Sequence, residues 1–317
     1  MTHDIVIVGG GFGGVRAAKI LSKWSASWRN AGGHHVNITL IDKSRHHTYY
    51  PNLYEVATAH LPEVFGHLPL NFFDLKSSAI YPLEDIFLDE TNVAVLEDEV
   101  TNVDFKKRQI KLKKSASLRY DILILGAGSE TNYFNIPGLL EHALPLKNFF
   151  EALEIRNAID EIFYRTPKNQ LIKIVIGGGG FTGCEFAGEL VGYMKKLARI
   201  HGRPEYYGEC LIVEAADALL GGVSAWSRKK AEKRLAGLGV KFKFKSAIKA
   251  VEDGHVLLAD GSKIPYDALI WTAGVKASEF SKALFGVKLE KNACIKTYTT
   301  VAQLNRSLKR SITWHKI

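Results

Sequence analysis

The chain has 317 residues, 46% of them hydrophobic and 24% charged. That composition excludes disorder and fibre, and the length asks for two domains of about 100 to 200 residues. The net charge of +9 is uneven: residues 1–100 carry 7 Lys/Arg against 12 Asp/Glu, and the remainder 35 against 21. Such an excess suits anionic lipid, nucleic acid or phosphate ligands on the later part without choosing among them. The basic positions carry no nucleic-acid motif, so no nucleic-acid partner is expected. No stretch approaches the roughly 18 apolar residues of a spanning helix, and Met1 leads straight into an apolar strand, with no export signal expected. Cys184, Cys210 and Cys294 are too scattered for a disulfide framework, a metal site or a C-x-x-C pair. A reducing cytoplasmic compartment is expected.

The chain opens on Asp4-Ile5-Val6-Ile7-Val8, a Val/Ile run of the kind buried on both faces of a parallel sheet, followed by Gly9-Gly10-Gly11-Phe12-Gly13-Gly14. A helical period follows at Val15, Ala18 and Leu21, then a second strand, Val36 to Ile41, closed by Asp42. Residues 93–120 alternate apolar and polar and read as short antiparallel strands around Lys106-Lys107-Arg108. Tyr120 to Leu125 is a buried strand stopped by Gly126-Ala127-Gly128.

The same unit then recurs about 170 residues on. Ile172 to Gly177 precedes Gly178-Gly179-Gly180-Phe181-Thr182-Gly183, and Phe186, Leu190, Met194 and Leu197 carry the helical stripe. The strand Cys210 to Val213 ends at Glu214. Lys241 to Phe244, Val256 to Leu258 with its Asp260-Gly261 turn, and Ala268 to Thr272 before Ala273-Gly274 repeat the earlier layout.

Strand, glycine turn, helix and strand make a mononucleotide-binding unit, here in duplicate. The first glycine permits the tight turn, the second admits a pyrophosphate, and the third brings helix against strand. The helix amino terminus offers unpaired N–H groups to phosphate. Asp42 and Glu214 stand where an acid accepts from a ribose diol, and Glu214, followed by Ala215-Ala216 without arginine, would repel a 2′-phosphate and so prefer NADH to NADPH. Two dinucleotide sites imply electron transfer between dinucleotides, so one should hold FAD. The expected fold is α/β, two Rossmann-like dinucleotide-binding domains with the NAD domain inserted into the FAD domain.

Gly9 to Gly14, Tyr50-Pro51-Asn52-Leu53-Tyr54-Glu55-Val56-Ala57-Thr58, Tyr120 to Asn132, Gly178 to Leu190 and Trp271-Thr272-Ala273-Gly274-Val275 together resemble the type II NADH dehydrogenases. These are the single-subunit NADH:quinone oxidoreductases of the two-dinucleotide-binding flavoprotein superfamily. The resemblance implies an FAD domain over residues 1–145, an NADH domain over 146–275 and an incomplete return to the FAD domain over 276–317. It places FAD on Gly9, Gly11, Phe12, Gly13, Gly14, Asp42 and Lys43, with Ala127 and Gly128 crossing the flavin. It places NADH on Gly178, Gly180, Phe181, Thr182, Gly183 and Glu214, with Ala273 and Gly274 on the nicotinamide side. Glu185 would lie beside both rings as the catalytic carboxylate, and Tyr54 under the flavin. His46 and His47 read as ordinary polar loop residues rather than an acid–base pair.

The activity implied is hydride transfer from NADH to FAD and onward transfer of electrons to a quinone. The implied location is peripheral to the inner face of the cell membrane, and homodimers are compatible with it. Thr299 to Ile317 departs from the family, whose quinone and membrane-docking segment is expected to be missing, leaving an open sheet edge and weak flavin retention. A remnant that binds dinucleotides without turnover, or a reductase of a non-quinone acceptor, are the alternatives. Disulfide-reductase and sulfide:quinone chemistry would need redox cysteines that these positions lack.

Overall fold

The computed structural model describes residues 2–32, 35–59, 78–204, 208–284, 288–289, 294–295 and 311–313. It divides into two compact units, one of residues 1–48, 80–130 and 276–317, the other of 49–79 and 131–275.

In the first unit a parallel sheet is built on β1 (Thr2–Val8), whose in-register neighbours are β2 (His35–Asp42) and β4 (Ile122–Leu125); β3 (Val93–Glu97) lies beyond β2. Successive β1 side chains point to opposite faces, so Ile5 and Ile7 join one apolar cluster with Ala18 of α1 (Phe12–Gly32), while Val6 and Val8 join another with Val103, Ile110 and Leu123. That double burial is why Ile5–Val8 carries no polar residue. Val93–Glu97 had read as antiparallel. It pairs parallel to β2 instead, and the antiparallel meander begins at Val100–Asp104 and continues through Gln109–Leu112 and Leu118–Arg119. Period-two alternation is common to both pairings and cannot distinguish them. Ser311–Thr313 lies parallel to β4, with Ile312 opposite Ile124, so a strand stands at the edge that the sequence had left open.

The second unit repeats the plan. Its sheet runs β5 (Ala143–Pro145), β9 (Ala268–Trp271), β6 (Ile172–Gly177), β7 (Gly208–Val213) and β8 (Lys241–Lys243), all parallel. Its meander is Ile248–Glu252, His255–Leu258 and Lys263–Pro265. Among the described residues three long helices accompany the sheet: α3 (Phe149–Arg165), α4 (Phe181–Ile200) and α5 (Ala225–Leu238). A capping box starts α3, in which Asn148 accepts from the Glu151 N–H and Glu151 from the Asn148 N–H. Gly239 ends α5 at φ +102°.

The short helix α2 (Leu53–Ala57) groups with this second unit and lies against α3 and α4, with Leu53, Val56 and Ala57 buried. The sequence boundaries had assigned it to residues 1–145. Its three apolar positions are matched by these helices, a contact between segments about 100 residues apart that no local pattern reports.

Candidate functional site: two glycine cradles

Both glycine turns are built to one plan. Gly9 and Gly178 each adopt φ +108°, a left-handed conformation that favours glycine. A Cβ on Gly9 would lie 2.1 Å from the Gly126 oxygen, and one on Gly178 2.8 Å from the Ala273 Cβ. On the third glycines, Gly14 and Gly183, a Cβ would meet the carbonyl oxygens of Gly9 and Gly178 at 1.8 and 2.1 Å. Strand and helix therefore touch backbone to backbone.

The middle glycines behave differently. Among the described residues, and beyond the adjoining backbone, no atom lies within 4 Å of a Cβ built on Gly11, Gly13 or Gly180. These faces are open where a ligand's phosphates would come against the backbone. The first helical bonds, from the Val15 N–H to the Gly11 carbonyl and from the Cys184 N–H to the Gly180 carbonyl, are both 3.0 Å; the N–H groups ahead of them form the anion-binding end of each helix. Phe12 and Phe181 stand exposed at that end, and Thr182 beside Phe181 is also exposed.

The acids are tied to the turns. The Gly10 N–H donates to Asp42 Oδ2 at 2.5 Å and the Ser44 N–H to Oδ1 at 2.8 Å. In parallel, the Gly179 N–H donates to Glu214 Oε2 at 2.6 Å and the Ala216 N–H to Oε1 at 2.8 Å. Each carboxylate oxygen has used one acceptor position and keeps another. A turn whose middle glycine is left open for phosphate and an acid with acceptor capacity left for hydroxyls together fit an adenine dinucleotide in each unit.

Other members of the sequence-predicted set separate by unit. Ala127 and Gly128, the latter at φ +72°, follow the Gly126 that abuts Gly9. Lys43 directs its ammonium to Glu99 at 3.1 Å. Ala273 abuts Gly178, and Gly274, at φ +73°, lies against the Phe134 ring, where a Cβ would sit 2.4 Å from its Cζ. Tyr54, placed by sequence under the flavin of the first domain, lies in the second unit. Burial raises its phenol pKa, reinforced by the charges of Glu55, Glu185 and Glu189. Glu185 is exposed on the first turn of α4, and partial desolvation raises its carboxyl pKa.

Sequence reasoning missed several parts. His47 is buried, and its Nδ1 donates to the Gly10 carbonyl at 2.9 Å, which fixes the tautomer because a carbonyl can only accept. Its ring meets Phe12 edge-on at 4.8 Å. The equivalent oxygen of Gly179 accepts from the Leu220 N–H at 2.8 Å and the Cys184 thiol at 3.4 Å. Burial pushes that thiol up to about 12. Near α3, Lys147 sits 4.8 Å above the Tyr50 ring, and burial lowers its ammonium pKa. Adjacent histidines, read from sequence as a polar loop but placed in the short strand His46–Thr48 that pairs with Ile80–Pro82, gave no sequence signal, although the Phe12 spacing from the turn is shared by Phe181.

A family model of pyridine nucleotide-disulphide oxidoreductases matches residues 3–303. The chain belongs to that family. Within it, the chain resembles type II NADH:quinone oxidoreductases: the protein of Staphylococcus aureus strain NCTC 8325 is 30% identical over 293 residues, 90% of this chain and 68% of the relative. The strain RF122 protein is 29% identical over the same shares. Among solved structures, NDH2 from Plasmodium falciparum in complex with NADH matches at TM-score 0.73 and 21% identity, covering 89% of this chain and 57% of that one. The sulfide:quinone oxidoreductase of Aquifex aeolicus matches at TM-score 0.67 and 18% identity, covering 89% and 61%. The chain thus spans a little under three fifths of the Plasmodium protein's length.

Proposed function

We propose that this protein is an FAD-dependent oxidoreductase that takes hydride from NADH and delivers electrons to a quinone. The carrying observation is the duplicated cradle, with Gly11 and Gly180 left open and Asp42 and Glu214 each bonded to its own glycine turn. Likeness to the Staphylococcus aureus NADH:quinone oxidoreductases supports the choice of donor and acceptor.

In this reading the first cradle holds FAD through Gly9, Gly11, Gly13, Gly14 and Asp42, and the second holds NADH through Gly178, Gly180, Gly183 and Glu214. Bound flavin supplies a two-electron centre that protein side chains lack. The chain contributes position. The α1 and α4 amino termini face the pyrophosphates, and each acid accepts ribose hydroxyls with its remaining lone pairs. Glu214 also repels a 2′-phosphate. Glu185 is exposed on the α4 first turn with Tyr54 among its neighbours, and its carboxyl would orient the nicotinamide ring for hydride transfer to the flavin. A quinone acceptor, an inner-membrane-face location and a second copy of the chain are the partners this reading carries.

The test is the visible spectrum of the purified protein. Flavin bands that bleach on NADH addition and recover on adding a quinone are expected. A colourless protein that still binds NADH would overturn the reading.

A further inference from the structure

The exposed face of α5 (Ala225–Leu238) carries a basic charge that no carboxylate among the described residues pairs with. At 100° per residue, Trp226, Lys229, Lys230 and Lys233 fall within about 100° of arc. All four are exposed, Trp226 at 68%, with Arg234 exposed beside them. Several exposed lysines elsewhere are paired, Lys113 with Glu99 at 2.8 Å, Lys241 with Glu209 at 2.6 Å and Lys263 with Glu252 at 2.7 Å, whereas on α5 the cations gather on one arc with Trp226. Among the described residues no carboxylate lies within ion-pair distance of Lys229, Lys230, Lys233 or Arg234. The one acid of the helix, Glu232, is half-buried on another side and accepts from the Leu219 N–H at 3.5 Å. Lys230 lies over the Trp226 ring, its Nζ 4.4 Å from the centroid.

We infer that this face of α5 docks the protein on anionic phospholipid. The charge complement must be negative. A face of exposed cations around one aromatic ring has no apolar core of the kind a specific protein interface builds over about 800 Å² per partner. Flexible lysines around a single indole are the composition of the bilayer interface, where indole lies at headgroup level and each lysine adds attraction to acidic lipid. None of these side chains belongs to the residues assigned to either cradle. The inference rests on the membrane part of the proposed function and names the surface responsible.

The experiment measures sedimentation of the full chain with phosphatidylcholine vesicles, with and without phosphatidylglycerol. Binding is expected only with the acidic lipid and should weaken steeply with salt. Lys229→Glu/Lys233→Glu should reduce it at least tenfold, whereas Lys106→Glu/Lys107→Glu, the same charge change on exposed lysines of the first unit, should leave it within about twofold. Trp226→Ala should abolish a vesicle-induced blue shift of tryptophan emission. Equal loss in both charge pairs, equal binding to neutral vesicles, or binding confined to an added oligonucleotide would overturn the inference. NADH oxidation with a water-soluble acceptor, measured on the same preparations, should be unchanged by the α5 pair. Vesicle binding without turnover would sink the catalytic reading alone, and turnover without vesicle binding the docking surface alone.

Discussion

The backbone N–H of Gly179 donates to Glu214 Oε2 at 2.6 Å, joining the second glycine turn to the residue that follows β7. A charge-assisted bond of this kind contributes about 1.5–3 kcal/mol. Glu214→Ala removes both this tie and the acceptor offered to a ribose. NADH affinity should fall roughly ten- to a hundredfold, while flavin content stays at the wild-type level. Titration of NADH against flavin absorbance on the same sample checks this. Equal loss of both ligands would contradict the assignment of cradles.

Gly14 and Gly11 separate folding from binding. An alanine Cβ at Gly14 meets the Gly9 oxygen at 1.8 Å, so Gly14→Ala should reach the upper end of the about 1–3 kcal/mol of an overpacked site. At Gly11 nothing stands within 4 Å. Gly11→Ala should keep its stability to within about 0.5 kcal/mol yet lose flavin absorbance. Thermal unfolding of the flavin-free proteins, read beside the spectrum, distinguishes them.

Asp98 predicts an acid limb in the stability of the first unit. Its carboxylate accepts from the N–H groups of Glu99, Lys113, Lys114 and Ser115. Burial pushes its pKa up, but the hydrogen bonds from Ser115, Lys114 and Glu99 outweigh it and bring the value to about 2. A depressed folded pKa means the contribution is complete above the unfolded value of about 3.9 and is lost as pH falls toward the folded one. Wild-type melting temperature should decline between roughly pH 4 and pH 2, and Asp98→Asn should be less stable at neutral pH with a shallower decline. Parallel curves for the two proteins would refute the assignment.

Cys184 and Cys210 should be chemically silent. Both are buried, and burial pushes each thiol up to about 12, so almost no thiolate exists at pH 8. Thiol reagents should label neither in the native protein, and NADH oxidation should survive the treatment. Mass spectrometry of the labelled protein decides it.

Periodicity and turn chemistry were legible because they are local. Val/Ile runs ending in spaced glycines announced both βαβ units, and the acids closing the second strands stand where expected, each bonded to its own turn. The plan of the site could therefore be read from Gly9, Gly14, Gly178 and Gly183 alone, since their packing leaves no room for a side chain.

Other features needed the chain to fold back on itself. The parallel pairing of Val93–Glu97, the seating of Leu53–Ala57 on helices of the second unit, and the burial of His47 beneath Gly10 each join segments tens of residues apart or more. Sequence by itself determined the two cradles, because steric demands at a glycine and the alternation of strand faces act between near neighbours. Tertiary structure decided which side chains support them, because a buried hydrogen bond or an apolar contact depends on partners that only close packing brings within a few ångströms.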